Sequence, residues 1–120
     1  MRIDYSLVRR ILMNTADGKE GADARDFVCD QWDWDTVCKH IDLMREGGLV
    51  KASIQHGDGH YYYVHVNRLT WEGQQLMALL SNERAWDETL KKIRQIGGDA
   101  SIDIVKALAA QAAMNIFGIL

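Results

Sequence analysis

Four side chains able to ligate metal or move protons, His56, Asp58, His60 and His65, fall within one ten-residue stretch. Imidazole and carboxylate together can hold zinc. The first three, however, belong to His56-Gly57-Asp58-Gly59-His60, which has the composition of a hairpin tip. None stands at ligand spacing on a rigid element, so the group reads as polar surface and no metal is expected. No serine or cysteine pairs with a base by spacing, and no glycine-rich loop could cradle a phosphate. The chain therefore offers no catalytic residue and no cofactor site, and does not read as an enzyme.

Cys29 and Cys38 lie outside any CxxC pair. Two buried, reduced thiols in a cytoplasmic chain are expected. The aromatic residues are better suited to contacts. In Tyr61-Tyr62-Tyr63, strand alternation puts Tyr62 on the core side with Val64 and Val66. Tyr61 and Tyr63 then share the opposite side with His65, where they could stack on a base, anchor a protein partner or cover a helix. Of Trp32 and Trp34, one is expected in the core and the other exposed.

The elements that carry these residues follow from periodicity. Leu7, Val8, Ile11 and Leu12 mark a helix from Asp4 to about Asn14. Asp17 to Gly21 is a loop, and a short helix is expected around Asp23–Cys29 with Phe27 and Val28 buried. Trp34, Val37, Cys38, Ile41 and Met44 form the stripe of a helix over Asp33–Glu46, ended by Gly47-Gly48. Two alternating strands follow, Leu49–Gln55 and Tyr61–Asn67. Thr70 caps a helix to about Leu80. Another helix spans Glu83–Ile96 and stops at Gly97-Gly98. Ser101 caps the last, from Ile102 to about Phe117.

The chain has 120 residues, 48% hydrophobic and 26% charged, enough to bury a core without disulfide or metal. The opening Met-Arg-Ile-Asp-Tyr-Ser lacks the apolar run of a signal peptide. Asp103, Lys106, Gln111 and Asn115 interrupt the most apolar stretch, which is too short to span a bilayer. A cytoplasmic protein without a membrane partner is expected.

The segment Thr36-Val37-Cys38-Lys39-His40-Ile41-Asp42-Leu43-Met44-Arg45-Glu46-Gly47-Gly48-Leu49-Val50 resembles the recognition-helix-into-strand step of winged-helix repressors of the ArsR and MarR type. Val66-Asn67-Arg68-Leu69-Thr70-Trp71-Glu72-Gly73 is similar to the Leu-Thr-x-x-Gly step of the same families. Over its length the chain also resembles an uncharacterised family of short bacterial and prophage proteins. That likeness lies in Asp4, Leu7, Val8, Arg9, Ile11 and Leu12, in Leu-Thr-Trp-Glu-Gly, and in a late Gly-Gly before an apolar helix. These resemblances imply a mainly α fold with a small β-hairpin, a winged helix-turn-helix over residues 1–82, and a helical extension over 83–120. They also imply a phage or mobile-element setting, and they place His40 at a histidine that recurs in the winged-helix pattern.

Such a fold reads duplex DNA with the first turns of its second helix and with its wing. The candidates are Thr36, Lys39 and His40, with Lys51, His56, His60 and Arg68 on the wing. The charge opposes them. From Asp17 to Val37 there are seven acids and two bases, and the net charge is −3, whereas phosphate attraction supplies most non-specific affinity. Asp26, Asp30, Asp33 and Asp35 could instead dock a basic protein. Two functions stay open: a regulatory protein binding double-stranded DNA as a dimer, and a protein-interaction module or inhibitor. Homodimerisation is expected through the last two helices, at Trp86, Leu90, Ile93, Val105, Leu108, Ala112 and Ile116. Ile104, Ala107, Met114 and Phe117 add apolar surface beyond that stripe.

Overall fold

Residues 2–18, 20–96 and 101–117 are described by the computed structural model, with the backbone alone at Phe117. The chain is a mixed α+β protein, mostly helical, with five helices and a small antiparallel sheet. It divides into two compact units, residues 4–74 and residues 1–3 with 75–120.

In the first unit, α1 spans Tyr5–Asp17. Its N-cap is Asp4, whose Oδ1 accepts from the backbone N–H groups of Ser6 and Leu7 at 3.0 and 3.3 Å, satisfying two of the donors that a helix start leaves open. Leu7, Val8, Ile11 and Leu12 are buried on one face. The two-residue strand β1 (Ala22–Asp23) follows. It is reached through Gly21, whose φ is +80° and where a Cβ would lie 2.0 Å from the carbonyl oxygen of Val66. Only glycine lets β1 approach its neighbour so closely.

The short helix expected over Asp23–Cys29 is a single 3₁₀ turn, Ala24–Phe27. Asp23 and Val28 are extended at its two ends and leave no room for an α-helical turn. Phe27 is buried as expected. Val28 and Cys29, expected inside, are exposed, because the chain turns outward there and the backbone N–H of Cys29 bonds the carbonyl of Trp32.

Helix α2 (Trp34–Glu46) is capped by Asp33, whose Oδ1 accepts from Thr36 N–H at 2.8 Å. Its C-terminus closes with Leu49 N–H on Met44 O and Gly48 N–H on Arg45 O, with Gly48 at φ +77°. This Schellman closure needs a left-handed residue. The chain then enters β2 (Val50–Gly57), turns at Asp58-Gly59, and returns as β3 (His60–Leu69). Both turn residues have positive φ, 52° and 78°, as a type I′ hairpin requires. The sheet order is β1-β3-β2.

The pairing of β2 with β3 skips a residue twice, because His56 pairs with Tyr61 directly after Gln55 pairs with Tyr63. Tyr62 is therefore the extra residue of a bulge, which overturns its expected core position. It is 63% exposed. A bulge shifts the side-chain alternation by one, so Tyr61 takes the α2 side instead. A second bulge at Asn67 lets Val64, Val66 and Leu69 all face inward.

Helix α3 (Trp71–Ser81) starts at Thr70, whose Oγ1 accepts from Gly73 N–H and donates to Gly48 O at 2.6 Å. A Cβ at Gly73 would lie 1.9 Å from Leu49 O, so glycine is what allows this contact. In the second unit, α4 (Glu83–Gln95) is capped by Asn82, and α5 (Ile102–Phe117) by Ser101. The Gly97-Gly98 pair expected to end α4 lies outside the described residues. Helices α4 and α5 pack on each other. Among the described residues no helix is long and apolar enough to cross a membrane.

Candidate functional site

The surface singled out by the sequence is α2 with the β2–β3 hairpin, and three side chains fix their relation. Trp34 Nε1–H donates to Tyr61 O at 2.9 Å. The Tyr61 hydroxyl donates to Asp42 Oδ2 at 3.0 Å. Asp42 Oδ1 in turn accepts from Arg45 Nη2 and Nε at 2.7 and 3.1 Å. The hairpin is thus clamped along two turns of α2. Burial, and then the bond to the Asp42 carboxylate, push the Tyr61 phenol up to about 12. Sequence reasoning missed this clamp, because the bulge that turns Tyr61 inward leaves no local mark.

A second network braces α2 from behind. His40 is buried, and both ring nitrogens are engaged. Its Nδ1–H donates to Thr36 O at 2.7 Å, while Nε2 accepts from Asp4 N–H at 2.9 Å. Asp4 Oδ2 also accepts from Trp32 Nε1–H at 2.8 Å. Asp4 therefore ties α1, the loop before α2 and α2 itself. His40, expected as a DNA contact, is part of the core, because an imidazole with two internal partners presents nothing to a ligand. Trp32 is buried and Trp34 half-buried, each with its indole N–H satisfied.

The charged residues of α2 are largely paired with one another. Lys39 Nζ lies 2.9 Å from Asp35, and Arg45 lies against Asp42 and, at 3.9 Å, Glu46. Thr36 is half-buried. Neither base of this helix stands away from an acid. Asp26, Asp30, Asp33 and Asp35 are all exposed, and the bond from Thr36 holds the Asp33 carboxyl below the usual carboxylate range. Asp23 is held below it too, by the Arg25 guanidinium beside it.

On the hairpin, Lys51 and Arg68 are cross-strand partners and both exposed. Arg68 Nη1 donates to Leu69 O. His56 and His60 are exposed near the tip, His56 with its ring 6.0 Å from that of Tyr61. Tyr63 and His65 lie parallel on the outer sheet face, their ring centroids 6.4 Å apart. Among the described residues no three His, Cys, Asp or Glu side chains gather as a metal site. The Cys38 thiol is buried and pushed up to about 12, by burial first and then by Asp35.

The stripe expected to pair two copies lies on α4 and α5. Trp86, Ile93, Val105 and Ala112 are buried, and Leu90, Leu108 and Ile116 are half-buried, since α4 and α5 pack against each other. The Phe117 side chain lies outside the described residues.

The fold and this surface define a small α+β protein built on a clamped helix and hairpin. It belongs to the family described as hypothetical protein (DUF2513), which matches residues 2–99. An uncharacterized protein of Haemophilus influenzae is 26% identical over 113 residues, covering 91% of this chain and 92% of that relative. No solved structure matches the chain.

Proposed function

We propose that residues 4–74 form a winged helix and that the protein is a regulatory module which docks a basic segment of a protein partner on its acidic face. The order helix, helix, hairpin, helix with the sheet β1-β3-β2 supports a winged helix. The observation that carries the choice of partner is the ion pairing on α2. Lys39 and Arg45 are already matched by Asp35 and Asp42, and Asp26, Asp30 and Asp33, in the chain leading into this helix, are exposed. Laid in a major groove, this helix would bring more carboxylates than free bases to the phosphates. The role is one of binding, without chemistry of its own.

DNA contact by the wing is the second reading, favoured by Lys51 and Arg68 exposed on one rung of the hairpin. One pair of titrations separates the two. A labelled lysine- and arginine-rich peptide should bind the full chain at low salt and be lost when Asp26, Asp30, Asp33 and Asp35 are changed to Asn. Random-sequence duplex DNA should not bind at low salt. Salt-sensitive DNA binding that is abolished by Lys51→Ala with Arg68→Ala would replace the first reading by the second.

A further inference from the structure

Tyr63 and His65 share the outer face of the sheet, their rings within 9° of parallel and their centroids 6.4 Å apart. Rings in face contact lie about 3.5–4.0 Å apart, so neither ring covers the face of the other. His65 is fixed in place, its Nε2–H donating to Glu20 O at 2.9 Å. Tyr63 is 42% exposed. Gln55 stands opposite Tyr63, and Ser53 opposite His65. At the open end of the hairpin the same face carries Lys51 and Arg68, paired across the strands and both exposed. Among the described residues no carboxylate forms an ion pair with either. Asp23 is the only acid in the three strands, and Arg25 donates to it twice, at 3.1 Å each. Two further acids border the face, Glu20 beside His65 and Asp58 in the turn at the opposite end from Lys51 and Arg68.

We propose that this face binds single-stranded DNA, its nucleobases stacking on Tyr63 and His65 and its phosphates meeting Lys51 and Arg68. Every nucleobase has a π face, so such a platform accepts any sequence. Lys51 and Arg68 supply the charge that holds a phosphate backbone, and the Gln55 amide can both donate to and accept from a nucleobase edge. The pairing of free ring faces with unmatched cations selects this ligand. An acidic peptide would satisfy Lys51 and Arg68 but leave the rings bare, and an apolar partner would bury two cations without a counter-charge. Duplex DNA keeps its nucleobases stacked on one another and has none to offer the rings. RNA is told from DNA by its 2′-hydroxyl. Ser53 and Asn67, the small polar side chains beside His65, are bonded to each other at 3.0 Å and do not address that group. The platform lies apart from the acidic residues that lead into α2, so it does not depend on what they bind.

Fluorescence anisotropy of a labelled deoxyuridine dodecamer titrated with the full chain tests this, circular dichroism confirming that each variant is folded. Wild type should bind in the micromolar range at low salt. Tyr63→Ala should weaken binding at least about fivefold, the lower bound of one stacked nucleobase, while Tyr63→Phe, which keeps the ring, should bind like wild type. Lys51→Gln with Arg68→Gln should weaken it too, and should reduce the slope of log affinity against log salt by about 1.4, at about 0.7 for each phosphate. The same dodecamer paired into a duplex should bind several-fold more weakly, and a uridine RNA dodecamer no more tightly than the DNA. Changing Asp26, Asp30, Asp33 and Asp35 to Asn, which removes peptide binding in the reading above, should leave the dependence on Tyr63 intact. A wild type that does not bind the single strand at low salt overturns the proposal, and so does a Tyr63→Ala variant that binds like wild type. Duplex bound as tightly as single strand overturns the stacking platform, and tighter binding of RNA overturns the choice of DNA.

Discussion

Asp4 ties together three parts of the first unit. Its carboxylate caps α1 with one oxygen and holds the Trp32 indole with the other, while its backbone N–H meets His40. Asp4→Ala removes the cap, worth about 0.5–2 kcal/mol. It also leaves the buried Trp32 N–H without an acceptor, which costs about 1–3 kcal/mol. Denaturant unfolding should show a loss of about 1.5–5 kcal/mol, read as a lower midpoint at unchanged slope. Asp33→Ala, which removes a cap alone, should cost less, and equal losses would show that the Trp32 bond adds nothing. The glycines divide in the same way. A Cβ at Gly73 would collide with Leu49 O, a backbone atom that cannot swing aside, whereas Gly59 has open space around it and only its positive φ to protect. Gly73→Ala should therefore destabilise by well over the about 1 kcal/mol expected of Gly59→Ala, and thermal melts of the two variants give the order. Both glycines sit beside residues that betray them in sequence, Asp58 at the turn and Thr70 at the helix start. The reach of Asp4 to Trp32 and His40 is not legible there, because it joins positions 28 and 36 residues apart.

At the scale of elements, helix ends were the most readable feature and strand faces the least. Thr70 and Ser101 each cap the helix expected after them, because capping is a local contest for backbone donors; the cap by Asn82, which precedes a polar first turn, is seen only in the structure. The hairpin was found, but its register was not. Strict alternation put Tyr62 inside, and one bulge gave that place to Tyr61. A bulge is chosen by the packing of the hairpin on α2, a long-range condition that a period of two cannot encode. The clamp so formed has a pH signature. The Tyr61 phenol and the Cys38 thiol are both raised to about 12, from ordinary values of 10.0 and 9.0. A group whose pKa is higher when folded stabilises the fold below its unfolded value and loses that contribution as pH rises to the folded one. Stability should thus decline from about pH 9 to about pH 12. Tyr61→Phe should be less stable near neutrality, having lost the bond to Asp42, yet show a shallower decline above pH 10.0. Denaturant midpoints measured across that range check both signs, and an unchanged slope in the variant would mean that Tyr61 ionises freely.

Over the whole molecule, charge is divided unevenly. Between Asp4 and Gln74 there are twelve acids and eight bases, while the rest of the chain holds five acids and six bases. The imbalance was plain in the sequence. What was not plain is that α2 matches its own two bases with acids, since Lys39–Asp35 and Arg45–Asp42 pairing depends on helical geometry. Salt should act on these two features in opposite directions. It weakens the surface ion pairs, Lys39–Asp35 being exposed and Arg45–Asp42 partly so, and pairs open to solvent contribute little. It also screens the mutual repulsion of the excess acids, which reaches over about 10 Å at 0.1 M salt. Because unpaired acids outnumber the pairs around the start of α2, screening should win, and the melting temperature should rise with sodium chloride. Changing Asp26, Asp30, Asp33 and Asp35 to Asn should flatten that rise and stabilise the protein at low salt. A melting temperature that falls with salt would show the ion pairs to dominate, and the acidic face would then cost the fold nothing. If it rises, the chain carries a destabilising cluster of like charge at its surface, which is the condition under which a basic partner would gain most by binding there.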